Sequence, residues 1–369
     1  MLQQAAYTNG HRTLTASVER HEVLLKSEEP LNFPRIIELE GDRLVLAYGR
    51  GRHGGDETRH AAFSEDGGKT WADFPPDSPW SDNVQTSGVL GYLVDGTIAY
   101  VDVFPLETAA WTRDQGPWFD QRIENPTWRL RRFSKSADLL EDTAFHVLGL
   151  PWKATAYYCY GDLLHLENGD LLIALGAQTP DRKEPGVCVT TFFARSTDGG
   201  TTFEFLCAID PEIDGRLVGP EGLNEPTMAV LGNGEILCVM RTGGFAPLHQ
   251  SRSQDGGHTW STPVSTGWPA DKPALRLMGN GVLACSSGRG TYGRPQITHA
   301  MFSLDGTGEV WEVPFAFHTG PGCSYTSNME RDGKLYVAYS HSSFGTPAGT
   351  FGLPYQSIKW VVLDVALSD

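Results

Sequence analysis

Apolar and polar residues alternate along this chain in short runs, and the runs come in pairs joined by a turn that carries glycine. The pairs read "RIIELEGDRLVLAYGR" from Arg35, "GVLGYLVDGTIAYVDV" from Gly88, "DLLHLENGDLLIALG" from Asp162, "TMAVLGNGEILCVMR" from Thr227, "ALRLMGNGVLACSSG" from Ala274 and "SNMERDGKLYVAYS" from Ser327. Period-two alternation bounded by Gly, Asn and Asp predicts half-buried strands joined as hairpins. No amphipathic helical period longer than about three turns interrupts them, so little helix is expected. The turn glycines Gly41, Gly96, Gly169, Gly234, Gly281 and Gly333 recur every 47 to 73 residues. Each interval has room for four short strands. An all-β, six-bladed β-propeller with four-stranded antiparallel blades is the architecture this repeat predicts.

A second repeat falls between the hairpins. "FSEDGGKTW" at 63 to 71 returns as "RSTDGGTTF" at 195 to 203 and "SRSQDGGHTW" at 251 to 260. A Ser followed by Asp-Gly-Gly is turn chemistry, because Asp bonds the backbone two residues on and glycine supplies positive φ. The aromatic at a constant offset points to a repeated packing slot. These turns are expected to join the third and fourth strands of a blade, on the outer rim, as scaffold. Blade two carries only the degenerate "FSKSADLLEDTAF", and blade five a stretched "MFSLDGTGEVW". The alternating segments "RHEVLLKS" at 20 to 27 and "YQSIKWVVLDV" at 355 to 365 have no hairpin partner, and they are expected to close the last blade together, making residues 1–369 one propeller domain.

Composition narrows the functional classes. The net charge of −16 argues against nucleic acid or an anionic membrane surface as a partner, since both require a basic patch. An anionic small substrate would need a local arginine cluster. Six scattered cysteines lack zinc spacing and read as buried free thiols. No apolar run of membrane-spanning length and no apolar leader is present, so the chain as given is expected to be soluble and cytoplasmic, unless an export signal was trimmed.

In a propeller the first strand of each hairpin begins, and the second ends, at the same face. The positions gathered at that mouth are Arg35, Tyr160, Asp162, Glu225, Arg241, Arg289 and Tyr325. The loop after the first hairpin adds Arg50, Arg52, His53, Asp56 and Glu57. Singly, each arginine is an ordinary rim charge; together they place guanidinium groups beside carboxylates and a tyrosine.

With its boxes and fourth hairpin in view, the chain resembles the sialidase superfamily, whose Asp-boxes of the form Ser-x-Asp-x-Gly-x-Thr-Trp sit on the outer turns of six-bladed propellers. "NFPRIIEL" is similar to that family's Phe-Arg-Ile-Pro motif but has proline ahead of the arginine. The resemblance implies Tyr325 as nucleophile, Glu225 as its base and Asp56, with Glu57 as rival, as acid/base. It implies Arg35, Arg241 and Arg294 as a carboxylate clamp, with Arg289 as rival to Arg294; position at the mouth adds Arg50, Tyr160 and Asp162 as supporting contacts. Planar guanidinium groups suit a sugar with a carboxylate on its anomeric carbon, and a neutral tyrosine approaches such an anionic centre better than a carboxylate does. Retaining hydrolysis of a sialylated or other acidic glycan is the implied activity, with no metal and no cofactor. Two alternatives stay open: a propeller glycosidase or lyase for another sugar, and a non-catalytic carbohydrate-binding propeller. The Trp- and Arg-rich insert at 105 to 132 is expected either to line the cleft or to cover the second blade.

Overall fold

The computed structural model describes residues 3–52, 57–75, 77–81, 88–103, 125–154, 156–178, 188–244, 246–289, 296–320, 322–342, 353 and 355–368. All regular elements among them are strands, and six sheets form the ring, antiparallel but for the short parallel pairing of Val147–Leu148 with Phe203–Ala208 at the edge of the third. Counting from the first hairpin, the innermost strands are Leu31–Glu38, Val89–Tyr92, Leu163–His165, Asn224–Val230, Asp271–Leu277 and Cys323–Arg331. We number the blades 1 to 6 in that order. Alternation along each strand sends every second side chain into the gap between neighbouring blades. The core is therefore a set of seams. Leu172, Ala174 and Phe193 of blade 3 pack on Met228, Ile236, Cys238 and Met240 of blade 4, and equivalent clusters fill the other gaps.

The ring closes on the two chain ends, as the unpaired alternating segments predict. Arg12–Ser27 pairs antiparallel with Gln356–Ser368, which lies beside Lys334–His341 in blade 6. A further strand, Gln4–Asn9, extends that sheet to five, one more than the four-stranded plan.

The Asp-Gly-Gly turns satisfy themselves. Asp255 accepts from Thr259 N at 2.9 Å and Thr259 Oγ1 at 2.6 Å, and the Ser253 hydroxyl accepts from Gly257 N at 2.8 Å. The same bonds hold Asp66 and Asp198, whose carboxyls are brought down to about 2 by them. The trailing aromatic does fill a packing slot: Trp260 of blade 4 stacks on Phe193 of blade 3 with centroids 4.2 Å apart. The second glycine meets the preceding blade too. A Cβ on Gly68, where φ is +84°, would stand 2.2 Å from Trp360 of blade 6. In the stretched turn of blade 5, Gly308 takes that part, donating to Ser303 Oγ at 3.0 Å.

Gly68→Ala is therefore expected to cost about 2–4 kcal/mol, combining the left-handed backbone with overpacking at the seam. Gly67, at φ +71° with nothing nearer than 3.9 Å, carries only the backbone share, about 1–2 kcal/mol. Equilibrium urea unfolding of the two alanine variants checks this. Equal losses would show that contact with blade 6 does not set the turn.

Candidate active site

One local device builds the mouth of this propeller. At the head of the inner strand, blades 1, 4, 5 and 6 break register with a bulge, between Asn32 and Arg35, Asn224 and Thr227, Asp271 and Ala274, and Ser324 and Thr326. The bulged residue has positive φ in each: Phe33 at 51°, Glu225 at 44°, Lys272 at 43° and Tyr325 at 31°. Three of the four precede proline, a position biased toward extended backbone, so these conformations are strained. Blade 3 answers with Gly161 at φ 117°, where a Cβ would stand 2.7 Å from the Pro226 carbonyl oxygen. The proline before Arg35 that departs from the family motif now has a reason. It belongs to the bulge.

The bulges bring Tyr325 and Glu225 together. The Tyr325 hydroxyl donates to Glu225 Oε1 at 2.7 Å, and both residues are buried. Arg241, on the second strand of blade 4, donates from Nη1 to both members, at 3.0 Å to Glu225 Oε1 and 3.1 Å to the Tyr325 oxygen. Its Nη2 donates to Glu221 Oε1 at 3.0 Å, and its Nε stands 3.1 Å from Asp271 Oδ1. Burial opposes that charge, but Glu225, Tyr325, Asp271 and Glu221 outweigh it and hold the guanidinium firmly protonated. Arg241 thus supports the Tyr325–Glu225 pair and is engaged by protein groups on several sides. Phe33 sets its ring edge against Tyr325 with centroids 4.4 Å apart, which steers the phenol.

Arg35 reaches the same place from blade 1. Its Nη2 donates to the Gly161 carbonyl at 2.7 Å and meets Asp162 Oδ1 at 3.3 Å. A small pocket lies over this group, lined by Phe33, Arg35, Tyr160, Lys272, Tyr325 and Thr326 among others. Below it an axial cavity of about 390 Å³ is bordered by the inner strands of all six blades. Arg35 and Lys272 line both spaces. Tyr160 stacks on Tyr158, and burial, with Tyr325 and Glu225 near, pushes its hydroxyl well up.

Two expected members hold other posts. Asp162 is a strut between blades: beyond Arg35 it accepts from Thr227 Oγ1 at 2.7 Å and Met228 N at 2.9 Å, which commits both oxygens to protein donors. Arg50 does not join the group. It is exposed and pairs with Glu29 at 2.6 Å, because the end of its strand faces a carboxylate on the rim. Glu57 accepts from Asn32 Nδ2 at 3.3 Å, beside the blade 1 bulge. Asp56, Arg294, His53 and the side chain of Arg289 lie outside the described residues, as does the insert up to residue 124.

Lys272 is the residue that sequence reasoning missed. A lone lysine before a strand reads as a solvated charge. The usable signal was the repeated triplet at the strand heads, "NFP" at 32, "NEP" at 224 and "DKP" at 271, which puts Lys272 in register with Glu225. Among the described residues no group of three or more His, Cys, Asp or Glu side chains could hold a metal ion.

The fold is a six-bladed β-propeller, similar to those of solved sialidases. The family model for the BNR repeat-like domain matches residues 129–337, more than half of the chain, and the chain belongs to that family. A search of the curated proteins found no match. Among solved structures, a protein of unknown function from Dyadobacter fermentans is similar at a TM-score of 0.72 and 17% identity, with 95% of this chain and 99% of that one covered. The Hadza microbial sialidase Hz136 is similar at 0.61 and 17%, over 90% of this chain and 65% of its own. Trypanosoma rangeli sialidase is similar at 0.59 and 14%, over 90% of this chain and 55% of its own. The chain therefore spans less than two thirds of the length of these two sialidases. Other structures of the T. rangeli enzyme hold sialic acid and, as a covalent intermediate, 2,3-difluorosialic acid. At these identities the likeness is one of fold.

Proposed function

We propose that this chain is a retaining glycoside hydrolase that releases a terminal sialic acid, or a related 2-keto acid sugar, through a tyrosine nucleophile. The observation that carries the reading is the buried 2.7 Å hydrogen bond from the Tyr325 hydroxyl to Glu225. Glu225 takes the phenolic proton as the Tyr325 oxygen attacks the anomeric carbon, and Arg241, which donates to both, stabilises the charge as it moves between them. A carboxylate nucleophile would meet the substrate's own carboxylate with like charge; the tyrosine is neutral until the moment of attack. Arg35, with a guanidinium open to the mouth pocket, is assigned to the substrate anion. Asp56 is assigned as the acid that protonates the departing oxygen and then activates water, with Glu57 as its neighbour in the same loop. The sialidases among the structural neighbours support the substrate class at the coarse level.

Purified chain is expected to liberate the fluorophore from an α-linked fluorogenic sialoside, with the α-anomer of the free sugar seen first by NMR. Absence of turnover on sialosides together with turnover of another acidic glycoside would move the assignment to that sugar.

A further inference from the structure

Blades 4, 5 and 6 present Glu225, Lys272 and Tyr325 from the same bulge position. Two of the three form the reacting pair. Lys272 stands between their blades with no part in that chemistry, yet the chain holds it there at positive φ ahead of Pro273, a conformation that carries strain.

Its surroundings point to something absent from the protein itself. Lys272 is 6% exposed, and among the described residues Nζ has neither a hydrogen bond nor an ion pair. The residue is largely buried, yet its ammonium is not fully enclosed and opens on the mouth pocket with no partner among the described residues; a cation so placed is costly, and such groups are retained where they meet a ligand. The carboxylates that could have neutralised it are committed elsewhere. Asp162 serves Arg35, Thr227 and Met228, while Glu225 serves Tyr325, Arg241 and the backbone N–H of Lys272 itself, which donates to Oε2 at 3.1 Å. The side chain lines the mouth pocket with Arg35, Tyr160 and Tyr325, and with Arg35 it also borders the axial cavity. These two cations are therefore the floor on which a ligand in the mouth would rest.

We infer that Lys272 is a substrate-anion ligand: its ammonium and the Arg35 guanidinium together hold the carboxylate of an acidic sugar beside Tyr325. The identity of the sugar rests on the proposed function; the anion site does not. Arg241 is already engaged by Glu221, Glu225, Asp271 and Tyr325, and among the described residues Lys272 is the cation that lines the mouth pocket beside Arg35.

The proton on Lys272 gives this site a pH signature. Burial, then the nearby Arg35 charge, lower its pKa to about 8 against the opposing pull of Asp162 and Glu225. The charged and titratable groups facing it are Arg35 from blade 1, Tyr160 and Asp162 from blade 3, Glu225 from blade 4 and Tyr325 from blade 6. Below about pH 8 the floor carries both cations; above it Arg35 remains alone.

Calorimetric titration with free N-acetylneuraminic acid, with glucuronic acid and with the methyl ester of each tests the inference. Wild type is expected to prefer the acid of whichever sugar it binds over its ester, with the preference fading as pH rises through about 8. Lys272→Met should weaken binding of the acid by roughly 10- to 100-fold and leave the ester unchanged, the scale of one charge-assisted hydrogen bond. Lys272→Arg should keep the preference and lose its pH dependence, and it decides the matter if the methionine variant does not fold. A folded Lys272→Met that binds the acid as wild type does overturns the inference and leaves the hydrolase reading untouched. Acid preference for glucuronic but not neuraminic acid, abolished by Lys272→Met, sustains the inference and removes the sialic acid reading. No preference for either acid over its ester in wild type overturns the inference.

Discussion

Tyr325→Phe is expected to lower kcat on an activated sialoside by on the order of 10²-fold or more while leaving the affinity for free sugar within a few-fold. The phenyl ring keeps the edge contact with Phe33, whose centroid lies 4.4 Å away, so the packing at the bulge survives. What disappears is the oxygen between Glu225 and Arg241. Glu225→Gln should be slow for a complementary reason, because an amide cannot accept the phenolic proton. The two variants remove one proton transfer from opposite ends, so the double variant should be little worse than either alone. Steady-state kinetics on the three proteins checks this. Additive losses, or near wild-type turnover by Tyr325→Phe, would separate the pair and hand the chemistry to other groups.

Arg241→Leu is expected to be the most destabilising change at the site, at about 3–5 kcal/mol. The guanidinium stands 3.0 Å from Glu225, 3.0 Å from Glu221 and 3.1 Å from Asp271, and the side chains of Glu225 and Asp271 are only 2% and 3% exposed. Removing the cation leaves buried carboxylates facing one another. Like charges held together out of water penalise the folded state only while they are ionised. Protonation relieves the repulsion, so the deficit relative to wild type should be largest near pH 7 and shrink as pH falls through the carboxylate range. Urea unfolding of both proteins at pH 7 and pH 4.5 measures it. A deficit that is the same at both pH values would mean that packing, not charge, is what Arg241 contributes.

The blade count and the rim turns were legible because both depend on short-range chemistry. A glycine turn between two alternating runs, or an Asp two residues after a Ser, forms its bonds within a few positions, as Ser253, Asp255 and Thr259 do. Glu225, Arg241 and Tyr325 were legible as strand-end positions at one mouth, with roles implied by the family resemblance, and their hydrogen bonds join them in the structure. Long-range pairings were harder to read. That Arg50 would find Glu29 on the rim, and that Asp162 would tie blade 3 to Thr227 and Met228 of blade 4, depends on how neighbouring blades stack. Lys272 escaped because its significance lies in register across blades. Only when the bulges are superposed does "DKP" align with "NEP", which places Lys272 in the slot that Glu225 holds in blade 4.

The central claim is that the Tyr325 oxygen becomes bonded to the sugar. Incubating the chain with 2,3-difluorosialic acid bearing a fluoride leaving group slows both steps through an electron-poor oxocarbenium ion, because fluorine at C3 withdraws charge. Tryptic mapping by mass spectrometry then locates any adduct. The account predicts one sugar equivalent on the peptide that carries Tyr325 and none in Tyr325→Phe. An adduct on Glu225 or another carboxylate, in a protein that turns over sialosides, would contradict it.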